Sequence, residues 1–333
     1  MLRRLLLPLV VAAALCDATK VLLPLYQYSE DCWPELQTAA SQNPSLEFLL
    51  ILNPDSGPVG DASNPSLACV PKLRALLPGS TLTGYVRTGY GKRSAADVAQ
   101  EVEAYKRWSE IEVAGGKTAA LDGIFFDEVD DSAKEKNLQL HQKHADAARE
   151  AFGADGIIIF NPGTAVDAAF YKMADIVVAY ESAYADYSES SLPPSALLPQ
   201  AAIMLHNFTP SSYTSTVASL VPAVNALFIT DVKIDSQDIY ETWGGGWYDF
   251  CKAVAQANGA ASTGSSGTTT TRRATASGQS SVTAASSEST AGHPSRPAAT
   301  GSTGRSGGPV ENENGSTSGA GLRVQPWGLL RWF

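Results

Sequence analysis

The sequence lacks most of the short motifs that identify common classes of enzyme and binding protein. Its body, residues 19–258, contains no Gly-x-Ser-x-Gly nucleophile motif and no glycine-rich loop that would cradle a phosphate group. Its four cysteines and four histidines form no metal-binding pattern. These absences argue against the common serine hydrolases, nucleotide-binding enzymes and zinc proteins, and we expect neither a cofactor nor a metal ion.

One pair of histidines has the spacing of metal ligands, but the sequence has no further ligand near them. His141 and His144 lie three residues apart in a predicted helix, with Gln and Lys between them. We interpret the pair as part of a solvated helix face, because the sequence offers no third ligand.

Basic residues are scarce in the body of the chain. The formal net charge is −10, from 24 Lys and Arg against 34 Asp and Glu. Residues 1–18 carry +1 and residues 258–333 carry +3, so residues 19–257 carry −14. Because a nucleic-acid-binding protein needs a basic face, this charge argues against a nucleic-acid partner. It allows a neutral or cationic ligand.

The longest apolar run lies near the N-terminus and is short for a membrane span. Arg3 and Arg4 precede the apolar residues 5–15, and small residues follow at Cys16 and Ala18. This pattern is typical of a secretory signal peptide, and we predict cleavage after Ala18, with residues 12–14 as a second option. An uncleaved signal anchor is the alternative. We expect a secreted or wall-associated monomer without stable membrane insertion.

Three cysteines remain after cleavage: Cys32, Cys69 and Cys251. An extracellular location favours a disulfide. We favour Cys32 with Cys69 because both lie near the first two predicted helices, which leaves Cys251 unpaired. With three cysteines, the sequence alone leaves the pairing open.

The body, residues 19–258, alternates between strand-like and helix-like segments. Eight strand candidates begin at Val21, Glu47, Thr81, Leu121, Gly156, Asp175, Ala201 and Ala226. Predicted helices cover residues 33–41, 66–77, 94–111, 137–152, 165–174 and 212–224, with a last helix within 240–258. Eight such units in one domain of this size predict a (β/α)8 TIM barrel. A doubly wound sheet is the alternative, but no glycine-rich phosphate loop supports it.

The composition changes at residue 259 to Ser, Thr, Gly and Ala. A segment of this kind buries too little apolar area to offset its chain entropy. We therefore predict a disordered, O-glycosylated tail over residues 259–333. Residues 322–333 turn apolar again but are short for a lipid-anchor signal, so a GPI anchor stays an alternative.

Two adjacent carboxylates end the fourth predicted strand. Residues 124–126 form a continuous apolar run, and Asp127 and Glu128 come directly after it. Carboxylates at the end of a buried strand are costly to desolvate unless they bind or react, and a parallel barrel places its chemistry at these strand ends. We interpret the pair as part of a glycosidase active site. The alternative is a solvated loop, residues 127–131, that caps the next helix.

A third carboxylate, Glu181, ends the sixth predicted strand. Glycoside hydrolysis needs two carboxyl groups across the scissile bond, one to protonate the leaving oxygen and one to attack carbon or activate water. Other strand ends carry aromatic and polar groups that can stack on a sugar ring or bind its hydroxyls. The predicted substrate-binding residues are Tyr26, Asn53, Asp55, Thr88, Tyr90, Asn161, His206 and Asp231.

Several motifs occur in a fixed order along the body. They are Leu-Pro-Leu-Tyr near residue 22, Asn53-Pro54-x-Ser56-Gly57-Pro58, Gly84-Tyr85-Val86-x-Thr88-x-Tyr90-Gly91, Tyr105-x-x-Trp108, Gly123-Ile124-Phe125-Phe126-Asp127-Glu128 and Glu181. Over roughly residues 21–254 the chain resembles the spherulin 4 family of secreted fungal proteins, also classed as glycoside hydrolase family 135. The resemblance implies a (β/α)8 barrel and endo-cleavage of galactosaminogalactan, a polymer that contains α-1,4-linked N-acetylgalactosamine.

The resemblance also implies that the acidic residues of the family correspond to Asp127, Glu128 and Glu181. By similarity to related barrel hydrolases, we assign Asp127 as nucleophile and Glu181 as general acid/base of a retaining mechanism. Glu128 is then a supporting acid, although the roles of Asp127 and Glu128 can be exchanged. Two alternatives stand beside this hypothesis: a non-catalytic polysaccharide-binding protein of a spore coat or cell wall, and a glycosidase for another sugar.

Overall fold

Eight parallel strands close into a barrel in the computed structural model, which describes residues 18–113, 115–234 and 239–265. In chain order the strands are Lys20–Leu25, Phe48–Leu52, Thr81–Arg87, Gly123–Asp127, Ile157–Phe160, Ile176–Ala183, Ala201–His206 and Ala226–Ile229. Each strand pairs with the next, and the first pairs with the eighth to close the barrel. The predicted TIM barrel and all eight predicted strands are confirmed.

The strands are apolar on both faces because one face lines the barrel interior and the other packs against helices. Every residue of the second strand, Phe48–Leu52, is buried. The third, fourth and fifth strands are aligned at their C-terminal ends. Arg87 lies opposite Asp127, and Phe126 lies opposite Phe160. Residues directly after the third, fourth and fifth strands therefore emerge at the same mouth of the barrel.

Six α-helices surround the barrel within the described residues: α1 Pro34–Gln42, α2 Pro65–Leu76, α3 Ala95–Arg107, α4 Glu135–Phe152, α5 Thr214–Leu220 and α6 Trp247–Ser265. A short antiparallel hairpin pairs Glu112–Val113 with Lys117–Thr118, and 3-10 turns cover Phe170–Lys172, Tyr184–Asp186, Glu189–Ser191 and Leu198–Gln200. Side chains cap two helices at their starts, where Asn64 accepts from the Ser66 amide and Ser94 accepts from the Asp97 amide.

One face of α3, with the residue that follows its end, is apolar and buried. Val98, Val102, Tyr105 and Trp108 are all buried. The Tyr105 ring packs on the third strand at Gly84, where an added Cβ would lie 2.5 Å from the ring. This close approach explains why glycine stands inside an otherwise bulky strand.

The predicted helix over residues 165–174 is wrong. Only the 3-10 turn Phe170–Lys172 forms in that segment. The Asp167 carboxylate accepts a hydrogen bond from the Ala169 amide, 2.8 Å away, and such a local bond competes with helical pairing.

The interpretation of His141 and His144 as a solvated face is also wrong, because both side chains are buried. They share one face of α4 with Ala145 and Ala148, at helical spacing, and that face packs against the barrel. The small alanines leave room for the imidazole rings, and the His144 ring stacks on Phe126 of the fourth strand.

The disulfide that we favoured, Cys32–Cys69, is present, and Cys251 is free and buried. Thr19 and Asn258 join the two ends of the barrel, since the Asn258 side chain accepts from the Thr19 amide and donates to the Thr19 carbonyl. Helix α6 continues past the predicted boundary at residue 258, to Ser265.

The predicted signal peptide, apart from Ala18, and the tail from residue 266 onward lie outside the described residues. Among the helices that are described, none has the length and apolar character needed to cross a bilayer.

Candidate active site

Asn161 joins two of the predicted catalytic carboxylates at the C-terminal mouth of the barrel. Its Nδ2 donates to Asp127 Oδ1 and to Glu181 Oε2, each at 2.8 Å. Those two carboxylate oxygens therefore lie no farther apart than twice that distance. The fourth, fifth and sixth strands each end beside this contact, so the barrel itself sets the spacing of the pair.

The backbone of Gly163 fixes the orientation of the Asn161 amide. The Gly163 amide donates to Asn161 Oδ1 at 3.0 Å, which leaves Nδ2 to face the carboxylates. The Gly163 carbonyl accepts from the Glu181 amide, also at 3.0 Å. Gly163 has a φ of 66°, a conformation that favours glycine. One turn after the fifth strand thus holds both the bridging amide and Glu181.

Two tyrosines also donate hydrogen bonds to these carboxylates. Tyr85 donates its hydroxyl to Asp127 Oδ2 at 2.8 Å, and Tyr240 donates to Glu181 Oε1. The ring of Tyr26 lies between them, in edge contact with Tyr85 at 5.3 Å and with Tyr240 at 5.6 Å. Three aromatic rings from separate parts of the chain therefore form one wall beside the acids.

Burial dominates the electrostatics of the site. Desolvation raises the pKa of Asp127, against hydrogen bonds from Tyr85, the Glu128 amide and Asn161 that favour the charged form. Desolvation also raises the pKa of Glu128, with the Asp127 charge adding to it and Arg87 opposing it. Because both pKa values are raised, Asp127 and Glu128 take up a proton more readily than they would in water.

Glu128 has a strained backbone. Its φ of 53° is left-handed, which is uncommon for a residue other than glycine. Its carbonyl accepts from the Thr88 hydroxyl and from the Tyr90 amide, both at 2.7 Å. Its carboxylate is buried and lies 3.9 Å from the Arg87 guanidinium, which is more than half exposed. Glu128 is therefore held separately from the pair that Asn161 joins.

Several polar atoms at the strand ends are buried without a hydrogen-bond partner among the described residues. Three belong to predicted substrate-binding residues: Asn53 Oδ1, His206 Nδ1 and Asp231 Oδ1. A fourth is Asn207 Oδ1, on a residue with a φ of 52°. Because a buried polar atom without a partner is destabilising, such atoms indicate places where a ligand or water would bind.

The other five predicted substrate-binding residues lie in three different settings. Tyr26, Tyr90 and Asn161 lie at the carboxylates, and the pKa of Tyr90 is raised by burial and by the charges of all three acids. Thr88 is fully buried, and its hydroxyl bonds to the carbonyls of Asp127 and Glu128. This geometry supports a positioning role for Thr88. Asp55 is exposed on the loop after the second strand.

Sequence reasoning missed Tyr85 and Tyr240 as site residues. Tyr85 could have been found, because it lies two positions before the strand end Arg87, on the opposite face of the strand from its neighbours Gly84 and Val86. Tyr240 carries no such signal, since it lies in an irregular segment before α6. No group of three or more His, Cys, Asp or Glu side chains in the described part of the chain could hold a metal ion.

Comparison with known proteins gives a family and two named relatives. The family model for spherulation-specific family 4, Spherulin4, matches residues 20–254. Spherulin-4 of Physarum polycephalum is 29% identical over 174 residues, a match that covers 52% of this chain and 48% of that protein. The match with this relative therefore spans about half of the relative's length.

A solved structure shares the barrel. The crystal structure of Aspergillus clavatus Sph3 in complex with GalNAc has a TM-score of 0.63 and 28% sequence identity. The match covers 72% of this chain and 98% of the Sph3 chain. The barrel described above is thus similar to that of a protein crystallised with an amino sugar.

Proposed function

This chain belongs to the spherulation-specific family 4, and from that premise we propose that it is a secreted endo-glycosidase. The proposed substrate is a polysaccharide with α-1,4-linked N-acetylgalactosamine, of which galactosaminogalactan is the expected example. The GalNAc complex of the similar Sph3 supports the choice of sugar. The closed barrel supports an active site at the mouth where its strands end.

One observation carries the proposal: a single amide holds Asp127 and Glu181 together at that mouth. The nearest oxygens lie no farther apart than twice 2.8 Å. Retaining glycosidases separate their carboxyl groups by about 5–5.5 Å and inverting ones by about 6.5–9.5 Å. The spacing therefore supports a retaining mechanism with this pair.

In the proposed first step, Asp127 attacks the anomeric carbon and Glu181 gives its proton to the leaving glycosidic oxygen. The bond from carbon to that oxygen breaks as the bond to the Asp127 carboxylate forms. In the second step Glu181 removes a proton from water, and the resulting oxygen displaces Asp127 from the sugar. The product keeps the configuration of the substrate.

The stereochemistry of the substrate explains why the protein must supply the nucleophile. In an α-linked N-acetylgalactosamine the acetamido group lies on the same side of the ring as the leaving oxygen. It therefore cannot attack the opposite face of the anomeric carbon, as it does in substrate-assisted hydrolysis of β-linked sugars. Asp127, with two hydrogen-bond donors in place, fits that role.

The test is release of reducing ends from purified galactosaminogalactan by the full-length chain. We expect Asp127→Asn and Glu181→Gln each to lower turnover by several orders of magnitude, because each removes a group that water replaces poorly. Asp146→Asn and Glu150→Gln are matched controls, since both residues are exposed on α4, and they should retain parental activity. Near-normal activity of either active-site variant would refute the assignment.

Chemical rescue identifies the nucleophile. We expect azide to restore cleavage of an activated α-linked aryl glycoside by Asp127→Gly, with a glycosyl azide of inverted configuration as the product. Glu128→Gly should give no such product. The opposite pattern would exchange the roles of Asp127 and Glu128. Binding of the polymer without release of reducing ends by the parent chain would instead favour the coat-protein alternative.

A further inference from the structure

We propose that Tyr240 is a positioning residue that controls how tightly Glu181 holds its proton, and that Tyr85 does the same for Asp127. The inference rests on the proposed function, because it assigns these tyrosines to the same pair of acids. It goes beyond that function by predicting that each hydroxyl sets one limb of the pH profile of kcat/KM: Tyr240 the alkaline limb and Tyr85 the acidic limb.

The hydrogen bonds around the two acids are arranged alike. Each carboxylate accepts from the Asn161 amide and from one phenol, Tyr85 for Asp127 and Tyr240 for Glu181, and Asp127 also accepts from the Glu128 amide. The Asn161 amide is shared by the two acids, whereas each phenol donates to one of them. Replacing one phenol therefore changes one acid while the amide bridge stays in place.

The surrounding structure holds both phenols in position. Tyr85 stacks on Phe125 at 6.3 Å, and Tyr240 contacts Phe228 at 5.9 Å. Both rings also meet the edge of Tyr26. Loss of a hydroxyl should leave these ring contacts unchanged, so a Tyr→Phe change tests the hydrogen bond with little effect on packing.

The two donors to Glu181 differ in what they can do. An amide nitrogen only donates, so Glu181 Oε2 must remain an acceptor. A phenol can donate or accept, so the Tyr240 hydroxyl can donate to the carboxylate and accept from the protonated acid. Oε1 is therefore the oxygen of Glu181 at which a proton would meet an acceptor, the Tyr240 hydroxyl.

The ionisable groups that face Glu181 come from several parts of the barrel. They are Tyr26 after the first strand, Tyr90 after the third, Asp127 across the Asn161 amide, and Tyr240. Burial raises the pKa of Tyr26 and of Tyr90, so these phenols stay neutral. Asp127 is faced by Tyr85, Glu128 and Arg87 as well.

The sign of the effect depends on which form each donor stabilises. A hydrogen bond to a charged carboxylate is stronger than one to the neutral acid, so the phenol favours the charged form and lowers the pKa of the acid. Tyr240→Phe should therefore raise the pKa of Glu181, and the alkaline limb of kcat/KM, where the general acid loses its proton, moves to higher pH. Tyr85→Phe should raise the pKa of Asp127 and move the acidic limb to higher pH.

The experiment compares pH profiles of kcat/KM for the parent chain and the two variants on galactosaminogalactan. We expect each variant to shift its own limb by about one pH unit or more, the size that one hydrogen bond to a charged group supports. Tyr171→Phe is the matched control, because its buried hydroxyl has no partner among the described residues. Its profile should match that of the parent.

A second variant distinguishes loss of the hydrogen bond from misfolding. Site-specific 3-fluorotyrosine at position 240 keeps the hydroxyl and makes it a stronger donor. It should shift the alkaline limb to lower pH, opposite to Tyr240→Phe. A shift in the same direction, superimposable profiles, or movement of both limbs together in either Phe variant would overturn the inference.

A readout without catalysis separates this inference from the proposed function. Titration of 13C-labelled Glu side chains by NMR reports the pKa of Glu181, with its resonance assigned by Glu181→Gln. If the parent chain releases no reducing ends but the Glu181 titration moves upward in Tyr240→Phe, the proposed function fails and the positioning role stands. If activity is present and the titration does not move, the positioning role fails alone.

Discussion

Asn161 is the residue on which the geometry of the site depends most. We predicted it as a sugar-binding amide, and the structure gives its nitrogen two carboxylate partners and its oxygen a backbone partner. Without this amide, two buried acids would face each other with no donor between them, and their mutual repulsion would favour either separation or protonation. Its contacts support a positioning role between Asp127 and Glu181.

We expect Asn161→Ala to lower kcat by about two to three orders of magnitude, the loss seen when one preorganised donor is removed from an active site. The melting temperature should fall as well, because Asp127 and Glu181 lose the donor that they share. The measurement is steady-state release of reducing ends, with Asn225→Ala as a control at an amide remote from the mouth. A variant with parental kcat would show that the barrel alone positions the acids.

At the scale of elements, α4 packs against the fourth strand through two buried histidines. His144 stacks on Phe126, directly before Asp127, and His141 Nε2 lies 3.0 Å from the carbonyl of Asp130. Burial lowers the pKa of both, that of His144 to about 4. The helix is therefore stable against the strand only while these imidazoles are neutral.

This arrangement predicts a loss of stability in acid. The pKa of His144 is about 4 in the folded chain and 6.5 without the fold, so the unfolded chain binds more protons between these values. Stability is full above pH 6.5 and falls as the pH drops toward 4, by on the order of 3 kcal/mol for this residue.

The test is urea unfolding of the parent chain and of His144→Leu at several pH values. The difference between their unfolding free energies should change across this range and stay constant above it. Lys143→Ala, an exposed neighbour on the same helix, should show no such pH-dependent difference. A constant difference for His144→Leu at all pH values would contradict the prediction.

At the scale of the whole molecule, the barrel is closed by contacts between its two ends. Thr19 and Asn258 exchange two hydrogen bonds, and the Thr19 hydroxyl donates to the Val224 carbonyl at 2.7 Å. These bonds connect the start of the first strand to α6 and to the residues just before the eighth strand. The stability of the barrel should therefore not depend on the residues beyond α6.

We predict that removal of residues 266–333 leaves the melting temperature and the activity unchanged, whereas Asn258→Ala in the full chain lowers stability by about 2 kcal/mol, the value of two lost hydrogen bonds. Thermal and urea unfolding measure both effects. Asn137→Ala is the control for loss of an amide near the start of α4. A large loss of stability on truncation would show that the tail packs on the barrel.

The sequence by itself determined the barrel, because its eight apolar strands and the helices between them repeat a local pattern that each segment carries alone. It also placed Asp127 and Glu128 at the end of the fourth strand, since a strand ends where its apolar run ends, whereas the sixth strand continues two residues past Glu181, to Ala183. The failed helix over residues 165–174 and the buried face of α4 show the limit of this logic. In residues 165–174 a local hydrogen bond of Asp167 competes with the predicted helix. On α4 the small side chains of Ala145 and Ala148 let His141 and His144 lie on the buried face.

Only the tertiary structure decided which groups meet. The Asn161 bridge depends on the register of three strands and on the turn at Gly163. The contact of Tyr240 with Glu181 joins residues 59 positions apart, through a segment with no regular pattern of its own. Such contacts arise from closure of the barrel, which brings distant strand ends to one mouth, and no local property of the chain specifies them.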